Sequence, residues 1–98
     1  MKFVQIMEIT TDRFEDMEKL HEKWLSETEG QRTVEMEWIM RDRDADNRYV
    51  IAVMFDSYDD AMKNNDLPAT ADIAAGIAAL TTTPTTFRNL DVVRIDQR

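Results

Sequence analysis

His21 is the only histidine among these 98 residues, and histidine is the one side chain whose ordinary titration falls between pH 5 and 8. It shares a helical stripe with Phe14, Met17, Trp24, Leu25 and Thr28, which turns the imidazole toward an apolar interior. Burial there is expected to lower its pKa and leave a neutral ring able to accept a proton. The plainer alternative is a structural histidine bonded to a backbone carbonyl or to a strand carboxylate such as Glu8. Three further residues could serve a ligand. Gln5 and Asn64 offer amides that could orient an oxygen, and Trp24 offers a ring for stacking. Each also has an ordinary role, in packing for Trp24 and in local turn bonding for Asn64.

Other chemistries lack their residues. There is no cysteine, so thiolate nucleophiles, disulfides and Cys-ligated metals are excluded. One histidine cannot build a His-rich zinc site, and two glycines make no phosphate-binding loop. Asp42, Asp44, Asp46 and Asn47 have the opening spacing of a calcium loop. The sixth position is Asn47 instead of glycine and the twelfth is Val53 instead of glutamate, so a solvated turn is the better reading. No cofactor is expected.

The elements that must position these residues follow from periodicity. Lys2 to Thr10 reads as a strand with Phe3, Gln5, Met7, Ile9 on one face and Val4, Ile6, Glu8 on the other. Thr11 and Asp12 offer an N-cap, with Glu15 in the capping-box position, for a helix that runs to about Glu29 and stops at Gly30. Thr33 to Arg41 alternates as a strand buried on one face, with Val34, Met36, Trp38 and Met40 as its apolar row. After the turn at 42–47, Arg48 to Phe55 is a strand apolar on both faces. Ser57 caps a second helix, which Asn64 to Pro68 interrupts. Ile73, Gly76, Ile77 and Leu80 form the buried stripe of the segment that follows. Phe87 to Ile95 is the last strand. Residues 1–98 are expected to form one domain of α+β class: a ferredoxin-like βαββαβ unit with a four-stranded antiparallel sheet.

In that topology the first and third strands are central, and both have two apolar faces. Two helices cover one face of the sheet, so Val4, Ile6, Val50, Ala52 and Met54, or their alternates, are left to water. At about 25 cal/mol per Å2, that exposure favours a homodimer through the sheet faces. Twenty acidic against twelve basic residues give a net charge of −8, which repels nucleic acid and anionic membranes. No apolar run approaches the roughly 20 residues of a membrane span, and the amino terminus reaches Glu8 too soon for a signal peptide. A cytoplasmic location is expected.

The βαββαβ order, the paired apolar faces and the Ser57-Tyr58-Asp59-Asp60-Ala61-Met62 helix start resemble the dimeric α+β-barrel superfamily, including antibiotic-biosynthesis-monooxygenase-like domains. The resemblance implies two sheets meeting in a barrel, with a ligand cavity between each sheet and its helices. It implies either a cofactor-independent monooxygenase acting on small aromatic or phenolic compounds, or a non-enzymatic dimer that binds a small hydrophobic ligand. The haem-degrading branch of that superfamily uses an asparagine on the first strand and a tryptophan and histidine on the second helix. Gln5 and Asn64 stand at the matching positions here and no histidine follows His21, which disfavours haem degradation. The resemblance carries over no residue set for the oxygenase. Such chemistry asks for a base, an orienting amide and a stacking ring, for which His21, Gln5 or Asn64, and Trp24 are the candidates.

Overall fold

Alternating strands and capped helices fold into the expected order. The computed structural model covers residues 1–98 and runs β1 (Phe3–Thr10), α1 (Phe14–Glu27), β2 (Val34–Arg41), β3 (Arg48–Phe55), α2 (Tyr58–Asn65), α3 (Pro68–Leu80) and β4 (Thr86–Asp91). The strands form one antiparallel sheet in the order β2-β3-β1-β4, which makes β1 and β3 central. This is the ferredoxin-like α+β arrangement. No helix is long and apolar enough to cross a membrane.

The helices roof one face. Phe3, Ile9, Ile51, Val53 and Phe55 of the sheet pack with Met17 of α1 and Ala61 of α2 in a single buried cluster. Phe14 stacks on Tyr49 with ring centroids 4.2 Å apart. A Cβ at Gly76 would lie 2.8 Å from Leu20 Cδ1, so glycine lets α3 approach α1 closely. The opposite face carries Val4, Ile6, Met36, Trp38, Met40, Val50, Ala52, Met54 and Leu90, paired across the strands with no element above them.

Ser57 caps α2, its hydroxyl accepting from the Asp60 amide at 3.1 Å, and Pro68 opens α3. Asn47 closes the acidic hairpin at φ +59°, a left-handed conformation that asparagine tolerates.

Four details differ from the sequence reading. The N-cap of α1 is Arg13, without a side-chain bond. Thr11 is instead fully buried, accepting from the Arg13 amide and donating to the Leu80 carbonyl, and so ties the start of α1 to the end of α3. In β2 the pairing slips between Val34 and Met36. That irregularity keeps Val34 on the roofed side and turns Met36, Trp38 and Met40 to the open side, while Glu37 and Ile39 come to lie under the helices. β4 ends at Asp91 and not at Ile95, because its partner β1 runs out of chain: the Val92 amide bonds Lys2 O, the last such contact. Finally, Ile73, Gly76, Ile77 and Leu80 of α3 are only half-buried, since the space beneath them is partly open.

Candidate functional site

That space is a cavity of about 260 Å3 between the sheet and the α1–α3 roof. Its walls are mostly apolar: Met7, Val34, Ile51, Val53, Phe55, Ile73, Ala74, Ile77 and Phe87. Gln5, His21, Trp24 and Asn64 all line it, together with Glu37, Asn65 and Thr70. Strand β1 supplies Gln5 on its roofed face, and α1 supplies His21 and Trp24 from its inner stripe. Helix α2 supplies Asn64 from its last turn, since the helix runs on to Asn65 before the interruption.

His21 meets a carboxylate, but not that of Glu8, which lies on the open face of the sheet. Its Nε2 is 3.0 Å from Oε1 of Glu37 on β2, with both side chains about four-fifths buried. The direction of its titration differs from the burial argument. Hydrogen bonding to the Glu37 carboxylate raises the imidazole above its ordinary 6.5, burial and the positive Arg32 oppose this, and the charges of Glu37 and Glu22 add to the rise. The partner outweighs the desolvation.

Trp24 is held on several sides. Its Nε1 donates to Thr70 Oγ1 at 2.9 Å, its ring stacks near His21 at 5.7 Å between centroids, and the Arg32 guanidinium lies 5.7 Å from the ring centre. Arg32 is fixed in turn by the Leu25 carbonyl at 2.8 Å. Gln5 donates through Nε2 to Asn89 Oδ1 of β4 at 3.3 Å. Asn64 is 5% exposed, and its Oδ1 is buried without any hydrogen-bond partner. A buried acceptor left unpaired costs about 1–3 kcal/mol, so it marks a place where a donor is wanted.

Glu37 is the lining residue that sequence reasoning missed. In the strand pattern it sits on the polar row of β2, which reads as solvated. Only the slipped pairing with β3 brings that row under the roof.

The fold has close counterparts. A candidate antibiotic biosynthesis monooxygenase from Caulobacter crescentus superposes with a TM-score of 0.82 at 10% identity, covering 95% of this chain and 91% of that one. SnoaB, a cofactor-independent oxygenase from Streptomyces nogalater, gives 0.79 at 17% identity over 96% of this chain and 95% of its own. A variant of SnoaB with one asparagine replaced by alanine gives 0.80. A candidate monooxygenase of the same kind from Nitrosomonas europaea gives 0.79 at 13% identity, covering 94% and 90%. No protein-family model matches the sequence, and no curated protein does. The chain thus has the fold of the antibiotic-biosynthesis-monooxygenase-like α+β-barrel proteins. At these identities the likeness extends to the fold alone.

Proposed function

We propose that the protein is a homodimeric, cofactor-independent monooxygenase that converts a small phenolic compound to the corresponding quinone. The observation that carries this reading is the pairing, inside one apolar cavity, of a proton-accepting imidazole with a buried amide oxygen that has no partner. A phenol that carries a second hydroxyl supplies what each lacks: one hydroxyl donates to Asn64 Oδ1 and the other gives its proton to His21. A cavity of about 260 Å3 suits one or two fused rings, since an apolar cavity near 150 Å3 already holds benzene.

The chemistry balances with dioxygen as the oxidant. His21 takes the hydroxyl proton and leaves an electron-rich phenolate. Dioxygen then bonds to the carbon para to that oxygen, and the resulting peroxide loses the ring C–H proton as its O–O bond breaks. A quinone carbonyl forms, and the second oxygen atom leaves as water. The apolar walls keep solvent from the reactive anion. The fold shared with SnoaB, a cofactor-independent oxygenase, supports this class of reaction.

The dimer reading rests on the open sheet face, where Met36, Trp38 and Met40 are 50%, 39% and 44% exposed in the single chain. Face-to-face pairing with a second copy buries them.

Oxygen uptake with a panel of phenols tests the activity. His21→Ala is expected to lower turnover at least a hundredfold while circular dichroism and dimer size stay unchanged. Full turnover in a folded His21→Ala protein would remove His21 from the mechanism.

A further inference from the structure

The mechanism above leaves Glu37 without a role, yet it is a carboxylate on the roofed face of the sheet, where an unpaired charge is costly. It arrives there because β2 slips its pairing between Val34 and Met36, a departure from regular alternation that places a charge under the helices. Its close partner is the ring of His21, which lines the same cavity.

We propose that Glu37 is a positioning residue that holds the Nε2 edge of His21, so that Nδ1 is the atom that takes the proton of the bound phenol. This rests on the oxygenase reading above for the identity of the proton donor. With Nε2 3.0 Å from Oε1 of Glu37, Nδ1 is the nitrogen left to a ligand. When the substrate arrives, its O–H bond breaks, the electron pair stays on oxygen and an N–H bond forms at Nδ1. The imidazolium so made keeps its Nε2 proton against the carboxylate, which offsets the new charge. The other charged groups that act on the ring are Arg32, from the segment between α1 and β2, and Glu22 of α1. They oppose each other, which leaves Glu37 as the deciding neighbour.

A single histidine makes the test direct, because its ring signals in an NMR titration need no assignment. In the wild-type protein the midpoint should lie above the ordinary value of about 6.5. Glu37→Gln keeps the shape and removes the charge, so the midpoint should fall toward that value. The pH at which oxygen uptake rises should move down with it, and the maximal rate should drop about tenfold. A merely structural Glu37 would leave the pH profile where it was, and that result overturns the proposal. If Glu37→Gln does not fold, a wild-type midpoint at or below about 6.5 overturns it equally. The titration needs no substrate. Absence of turnover on every phenol would therefore sink the oxygenase reading, while the midpoint alone still decides whether Glu37 governs the ring.

Discussion

On the roofed face of the sheet, Gln5, Glu37 and Asn89 interrupt a surface that packing alone would fill with apolar side chains. On the open face, Val4, Ile6, Met36, Trp38, Met40, Val50 and Met54 form an apolar surface where solvent would favour polar ones. Each face departs from the ordinary rule in the opposite direction. The polar intrusions under the helices surround a cavity, and the bare apolar rows surround nothing. In the proposed function a ligand would resolve the first departure and a second copy of the chain the second. Two neighbouring strands, β1 and β3, serve both, because successive side chains of a strand point to opposite faces.

The largest expected effect tests the open face. Trp38→Glu places a charge on the apolar surface, midway along the edge strand β2 and opposite Ala52. In a dimer that charge is buried without a partner, at a cost on the order of several kcal/mol. The dimer dissociation constant should rise at least a thousandfold by analytical ultracentrifugation, while the cavity residues on the other face keep their arrangement. A variant that stays fully dimeric, or a wild-type protein that is monomeric at micromolar concentration, would refute the sheet-to-sheet assembly.

Next comes the buried amide of the roofed face. If the unpartnered Asn64 Oδ1 is kept for a ligand, it costs stability in the empty protein. Asn64→Leu removes the unpaired acceptor and keeps the branched shape and number of heavy atoms, so urea denaturation should show a gain of about 1 kcal/mol. Phenol binding should weaken about tenfold in the same variant. Loss of stability with unchanged binding would mean that Asn64 belongs to the packing and not to the site.

How far the sequence reveals this contrast depends on the range of the signals. Local ones were legible: the β3 limits from alternation, the Ser57 cap, the Pro68 restart and the double-sided apolar pattern of β1 and β3. His21, Trp24, Gln5 and Asn64 were legible as candidates, because an apolar stripe and a helix break tell which way a side chain is directed. Signals that require two strands to be aligned were not legible. The slip between Val34 and Met36 exists only in the pairing of β2 with β3, so both the position of Glu37 and the outward turn of Met36 were hidden. The direction of the His21 titration was lost for the same reason. Burial can be read from periodicity, whereas the carboxylate that outweighs it comes from another element.

The smallest effect concerns that titration and separates the two faces by pH. Since the folded state raises the imidazole above its unfolded value, protonated His21 favours folding. Its contribution is complete below the unfolded pKa of about 6.5 and disappears as pH rises through the higher folded value. Stability from urea denaturation should therefore fall as pH climbs from about 6 into the alkaline range, more in the wild-type protein than in His21→Gln. Glu37→Gln should flatten the same slope, because it removes the cause of the raised value. The open face carries Glu8 and Arg88 but no histidine. Trp38→Glu should accordingly leave the imidazole midpoint in place even as it lowers dimer affinity. A slope that survives in Glu37→Gln, or a midpoint that follows the dimer, would show that the faces are coupled and that one charge pair does not govern the roofed side.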